Sequence, residues 1–346
     1  MKQNKYYDKT EAYAIKRSAI PAALMQIKGL ARFDSKDAAA VFFARELDYV
    51  KSQAYETEYP DLMAFSLFPI DTEADPGAES ITYYVYDKEG TAKVIDNYST
   101  DLPRADANGK PSTAFVKSIG VSYGYSAQEM RASRMADKHL DARKADSAHY
   151  QIDAAINRIA WAGDSDHNLL GILSTGQNIP IFTIGAGHIS GQVRWIDKTA
   201  DEVLQDVLSM YAQVSRTTKG IERPDTLVLP TDVHIALSMK RVGDTADTVL
   251  TFIQRNAPFL KKIEMAAELN CDSVETNPYA NANAASGQGV ALLYTNDAKK
   301  LALHNPMAFL QYPVQVHNLE TIVPCEARTA GMIVPYPMSA LIAVGV

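Results

Sequence analysis

The residues closest to a recognisable chemistry are Asp164, Asp166 and His167, in the segment GDSDHNLLG. Carboxylates beside an imidazole are ordinary donors for a divalent metal. A calcium loop needs further oxygens at fixed offsets and a closing glutamate, and neither follows here. The cluster therefore reads as a polar turn at a helix end. His139 and His149 do not have the i, i+4 spacing that puts two zinc ligands on one helical face, so they read as surface or interface histidines. Gly185, Gly187 and Gly191 in GAGHISG lack the strand-then-helix setting of a dinucleotide loop. Neither a GxSxG elbow nor a P-loop occurs, and no serine or aspartate is paired with a base and an orienting group. Tyr83, Tyr84 and Tyr86 in ITYYVY could stack on nucleic-acid bases, but a strand sends alternate residues to opposite faces and no basic stripe accompanies them. Packing within a sheet or an interface is the better reading. These residues predict neither catalysis nor a cofactor nor a bound metal.

The totals agree. The chain has 346 residues, 47% of them hydrophobic, enough for one or two cores. Its net charge of -7 argues against a protein that grips DNA or RNA, though an acidic wall could enclose nucleic acid. Cys271 and Cys325 stand far apart and read as reduced thiols. No apolar run reaches the ~18 residues of a membrane span, and the N-terminus lacks the apolar centre of a signal peptide. A cytoplasmic origin is expected.

The elements that would position these residues centre on one long helix, expected over 127–162. Ser126 and Glu129 form a capping box at its start, and Gly163 suits a left-handed cap at its end. At 1.5 Å per residue such a helix is roughly 54 Å long, about the width of a domain. It is not a coiled coil, because DARKADSAHYQ between Leu140 and Ile152 breaks any heptad. Ile152, Ala155, Ile156 and Ile159 recur at helical spacing and should be buried, whereas Arg131, Arg134 and Asp137 belong on a surface or subunit boundary.

Upstream, Ile20, Leu24 and Ile27 form a short apolar patch, and Asp37 can cap a helix carrying Val41, Phe42, Leu47 and Val50. A hairpin is expected with strands Ile81 to Tyr86 and Thr91 to Tyr98, followed by a polar connector and a strand, AFVKSIGVSYGYS, that feeds the helix. A hairpin alone is marginal in water, so it needs a partner surface, which another subunit could supply. Downstream, 171–195 reads as loop. A helix follows with Val203, Leu204, Val207, Leu208 and Tyr211 on one face. Then come a buried strand Thr226 to Leu229, a helix capped by Thr231 or Asp232, a helix from Thr245 to Asn256, and KKIEMAAEL as strand or helix. A flexible turn near Ala282 to Gly289 precedes a buried strand, ALLYT. Leu319 to Thr329 reads as one long strand and Ser339 to Val346 as a final apolar one.

In this order the pieces resemble the major capsid proteins of tailed bacteriophages, with the α+β Hong Kong 97 capsid fold. The segments NRIAWAGDSDHNLLGILS, PDTLVLPTDVHIAL and SALIAVGV are similar to the family's helix exit, axial-domain strand and helix, and C-terminal return. The resemblance implies an N-terminal arm at 1–45, an extended E-loop at 70–112, and a spine helix at 127–162. It implies a peripheral domain from 46–69, 113–185 and 300–334, and an axial domain from 186–299 and 335–346. E-loop interface residues would be Ile81, Tyr83, Tyr84, Tyr86, Lys88, Lys93 and Tyr98. Spine residues would be Ser126, Glu129, Arg131, Arg134, Ile152 and Ile156, with Gly163 and Gly171 at the exit turn.

The function so implied is mechanical. Pentamers and hexamers of one chain tile an icosahedral virion shell around double-stranded DNA, without base-specific binding and without a membrane. Assembly in a bacterial cytoplasm with portal, scaffolding or decoration proteins is expected. Some members link an E-loop lysine to an asparagine of another subunit. Lys88 and Lys93 lie in the matching region, but no acidic catalyst is identifiable. The chain reaches the arm soon after Met1, which implies a separate scaffolding protein or none. The competing readings are an encapsulin-like cellular compartment and an α/β enzyme using Asp164 to His167 as a metal site.

Overall fold

A computed structural model describes residues 59–94, 104–135, 140–243, 245–279 and 289–346. The expected arm, the Asp37-capped helix, Tyr98, His139 and most of the 282–289 turn lie outside these residues.

The fold is organised by a five-stranded sheet in the order β7-β16-β10-β8-β9. Its strands are β7 (Ile181–Thr183), β8 (Thr226–Pro230), β9 (Lys262–Ala266), β10 (Val290–Tyr294) and β16 (Ala340–Val344). Every residue of β8 and β10 is buried. Strands covered on both faces need no polar side, so TLVLP and VALLY are continuous apolar runs. Alternation then divides the side chains between two cores. Val228, Leu292, Tyr294 and Ile342 face one; Leu227, Leu229, Leu293 and Leu341 face the other. The second core is closed by α4 (Ala200–Thr217), α5 (Thr231–Met239) and α6 (Val249–Asn256).

The first core receives the helix expected from the sequence. It is helical as α2 (Ala127–Met135) and α3 (Leu140–Trp161), and 136–139 lie outside the described residues. Ile152, Ile156 and Ile159 are buried as the spacing predicts, while Ala155 is half-buried. Across α3 lies a second sheet, in which β14 (Glu320–Thr329) pairs with β12 (Met307–Gln311), β13 (Gln315–His317) and, over ten residues, β4 (Lys117–Ser126). A third sheet runs β1-β11-β15-β6-β5, with β1 (Ile70–Asp71), β5 (Gly163–Asp164), β6 (Leu169–Leu170), β11 (Ala302–His304) and β15 (Gly331–Ile333). The short helix α1 (Ala64–Leu67) packs against α3, and Tyr294 of β10 donates its phenol to the Leu67 carbonyl at 2.6 Å. Burial pushes that phenol's pKa well above its usual range.

Several expectations need correction. The second strand of the hairpin is not Thr91 to Tyr98. Strand β2 (Ser80–Glu89) pairs instead with β3 (Asp106–Phe115), the stretch read as a polar connector. The sequence DANGKPSTAF has little strand propensity, so pairing with β2, not composition, imposes its conformation. Ala114 and Phe115 end β3, and the strand entering the helix starts at Lys117. The 171–195 segment contributes β7 to the main sheet. KKIEMAAEL resolves into β9, which runs parallel to β8. On α4, Val203, Val207, Met210 and Val214 are buried, whereas Leu208 is exposed and Tyr211 stacks on Phe259 at 3.9 Å. Helix α5 has no side-chain cap of its own; Asn270 Oδ1 accepts from Thr231 N at 2.9 Å. Helix α6 starts later than expected, capped by Thr248 in a reciprocal box with Thr251.

Candidate functional site

The feature that stands away from the cores is the β2–β3 ribbon. Ten residue pairs, Ser80↔Phe115 to Glu89↔Asp106, make a ladder about 34 Å long. Its root is anchored. Ile81, Tyr83 and Ala114 pack on buried Val116, Ala330 and Ile333. Val116 N donates to Glu79 O at 2.9 Å, and the Arg328 guanidinium donates to the Pro76 carbonyl. The alternate residues, Tyr84 and Tyr86, face away from that root and are 59% and 69% exposed. Their rings stack with centroids 6.2 Å apart. Tyr86 lies over Gly109, where a Cβ would come within 2.7 Å of the ring. Thr82 and Thr113 share a hydroxyl hydrogen bond at 3.1 Å. Lys88 and Lys93 are exposed. Sequence reasoning missed Gly109, Thr113 and Arg328. A glycine opposite an aromatic is a usable signal only once the register is known.

The start of the helix is built as the sequence indicates. Ser126 N donates to Glu129 Oε2 at 3.0 Å, and Glu129 N donates to Ser126 Oγ at 3.1 Å. The backbone N–H of Ser126, then nearby Lys144, hold the Glu129 carboxyl below its ordinary range. Lys144 Nζ also donates to Gly124 O at 2.7 Å, tying α3 to β4. Arg131 is exposed on α2, and Arg134 lies on the same helix.

The exit turn brings Gly163 and Gly171 together. Gly163 has φ +79°, the left-handed cap expected. A Cβ on Gly171 would lie 2.4 Å from Gly163 N and 2.5 Å from Trp161 O, so the turn depends on backbone touching backbone. Ser174 Oγ accepts from Gly171 N at 2.9 Å and donates to Ala162 O at 2.6 Å. Inside this turn, Asp164 accepts from Asp166 N at 3.0 Å and pairs with His167 Nδ1 at 2.8 Å. The His167 hydrogen bond lowers the Asp164 pKa, against a smaller effect of burial. Both Asp164 oxygens thus organise the turn, and among the described residues no group of three or more metal-binding side chains converges. His149 packs edge-on against Phe309 at 4.6 Å and sits 3.4 Å from Asp153.

The glycine loop GAGHISG is held by one carboxylate. Glu202 accepts from Thr199 N (2.9 Å), Ile189 N (2.6 Å) and Ser190 N (3.0 Å). The Thr199 and Ser190 amides lead in holding its pKa far below the ordinary range. Beside it, Asp206 Oδ2 accepts from Trp195 Nε1 at 2.9 Å and from buried Lys198 at 2.6 Å, and Lys198 also reaches Gly185 O at 2.7 Å. This is a lock on a loop.

A β-ribbon on a two-core α+β body is also the fold of solved capsid proteins. The capsid of Myoviridae phage XM1 superposes with a TM-score of 0.71 at 16% identity, over 89% of this chain and 100% of that one. The capsid of a native GTA particle gives 0.62 at 11%, over 90% and 99%. The virus-like particle from Pyrococcus furiosus gives 0.51 at 10%, over 81% and 91%. These likenesses establish the Hong Kong 97-like fold expected from the sequence. No curated protein matches the chain. The major capsid protein family model matches residues 90–346, and the chain belongs to that family. Its role is therefore structural.

Proposed function

We propose that many copies of this chain, as pentamers and hexamers, close into an icosahedral bacteriophage shell around double-stranded DNA. The observation that carries this reading is the ribbon. Two strands alone are marginal in water, and beyond the root Tyr84, Tyr86 and Val94 remain exposed, the tyrosines covered only by each other and by Gly109 among the described residues. A neighbouring copy supplies that surface. In this reading the ribbon is the E-loop, expected at 70–112 and overrun by β3 as far as Phe115, with Ile81 and Tyr83 as root contacts and Tyr84, Tyr86, Lys88, Lys93 and Tyr98 meeting the neighbour. The α2–α3 helix is the spine, with Arg131 and Arg134 near a subunit boundary. The β14 sheet, at 113–185 and 300–334, belongs to the peripheral domain together with 46–69. The five-stranded sheet and its helices form the axial domain, at 186–299 and 335–346 with β7 (Ile181–Thr183) added from the preceding segment, and 1–45 form the arm. A net charge of -7 keeps the wall from adhering to packaged DNA. Assembly takes place in the bacterial cytoplasm, with portal, scaffolding or decoration proteins as partners.

The test is size-exclusion chromatography with negative-stain microscopy of the full chain, alone and with the products of neighbouring genes. Closed hollow particles are expected. A variant with Thr82 to Thr113 replaced by two glycines should stay folded as a protomer and form none; normal particles from it would sink the ribbon's role. An encapsulin-like cellular shell is the second reading, favoured by the likeness to the Pyrococcus particle. Nuclease-protected DNA in native particles decides for the phage shell, and an enclosed enzyme for the compartment.

A further inference from the structure

A groove of about 730 Å³ runs beside the C-terminal half of α3, between Asp61, Tyr150 and the 267–276 segment. Its lining is acidic: Asp61, Glu268, Asp272 and Glu275, against one basic residue, Arg158. Glu268 sits at its inner wall and is only 7% exposed. Its Oε1 is fully used, accepting from Met63 N at 3.0 Å and from Asn157 Nδ2 at 2.9 Å. Its Oε2 is buried and has no partner among the described residues. A buried carboxylate oxygen without a donor is costly, and native proteins rarely leave one so. Asp61, Asp272 and Glu275 are exposed, and together they give the groove a negative field that favours a cation. Among the described residues no positively charged donor reaches Glu268 Oε2.

We propose that the groove binds a lysine or arginine side chain of a neighbouring copy of this chain, whose cationic head donates to Glu268 Oε2. The inference rests on the shell reading above. An occupant needed by every subunit must be present once per subunit, and in a shell of one repeated chain the neighbouring copies meet that requirement. The chain carries 34 lysines and arginines, with Lys88, Lys110 and Lys117 among the exposed ones. Arginine would satisfy Oε2 and an adjacent carboxylate together through its forked donors.

The test is Glu268→Gln in the full chain. Glutamine is isosteric and keeps an acceptor at Oε1 for Met63 N and Asn157, but it places an NH2 where the cation would dock. The unassembled protomer should unfold at the wild-type temperature. The concentration needed to form shells should rise about tenfold, because one charge pair of each contact is lost. The salt sensitivity of assembly should weaken with it. Asp272→Asn with Glu275→Gln, which spares Glu268, should move both quantities the same way by less. Shells formed from Glu268→Gln at the wild-type concentration and salt dependence would overturn the proposal. So would a lowered protomer unfolding temperature with unchanged assembly, which would place the cation within the same chain. A wild-type chain that forms no shells under any of the conditions above would instead remove the shell reading itself.

Discussion

Replacing Gly171 by alanine tests the exit turn with one methyl group. The added Cβ would lie 2.4 Å from Gly163 N, 2.5 Å from Trp161 O and 2.7 Å from the Ala162 carbonyl carbon. All three neighbours are backbone, so no side chain can rotate away. Restoring ordinary contact needs a backbone shift of nearly an ångström. That shift strains Ile172 N to Ala160 O (2.8 Å), Leu173 N to Trp161 O (2.9 Å) and the Ser174 bridge. Overpacking costs about 1–3 kcal/mol, and one or two weakened buried hydrogen bonds add roughly 1 kcal/mol each. The expected loss is about 3–4 kcal/mol, a large share of the 5–15 kcal/mol typical of a domain. Gly185→Ala is the control, since nothing lies within 4 Å of its Cβ position, and it should change stability by less than about 0.5 kcal/mol. Urea unfolding of the unassembled protomer, followed by tryptophan fluorescence, measures both. Trp161 immediately precedes the turn and is fully buried, so its emission reports the affected core. A Gly171→Ala midpoint equal to that of the control would refute the close-approach argument.

The ribbon and the loop lock give further expectations. Changing Tyr84 and Tyr86 together to serine should cost the protomer less than about 1 kcal/mol, the scale of cross-strand pairing, while particle yield collapses; a large loss of protomer stability would mean that the rings are already packed within their own chain. Glu202 titrates near 4.5 when unfolded and far lower when folded. Its stabilising effect is thus fully present above the unfolded value and is lost as pH falls toward the folded one. Glu202→Gln should flatten the fall of protomer stability below about pH 5, and an unchanged acid limb would contradict the amide clamp.

Local signals were legible where the physics is local. The Ser126–Glu129 box and the Gly163 cap need only a few neighbours, and the sequence shows them. The apolar runs of β8, β10 and β16 also show, because strands covered on both faces carry no polar residues. Ile152, Ile156 and Ile159 follow from helical spacing. Other features depend on residues far away in the chain. Strand β3 is extended because β2 pairs with it, and its own Asn108, Gly109 and Pro111 argue otherwise. The cap of α5 comes from Asn270, which no window around Thr231 contains. Nor could Glu268 stand out, since its meaning lies in Met63 and Asn157, 205 and 111 residues away. By itself the sequence determined the helices, the buried strands and the kind of fold they resemble. Tertiary structure decided which strands are neighbours, how one sheet divides its side chains between two cores, and which carboxylate is left without a donor, because strand pairing and burial are set by contacts between distant segments.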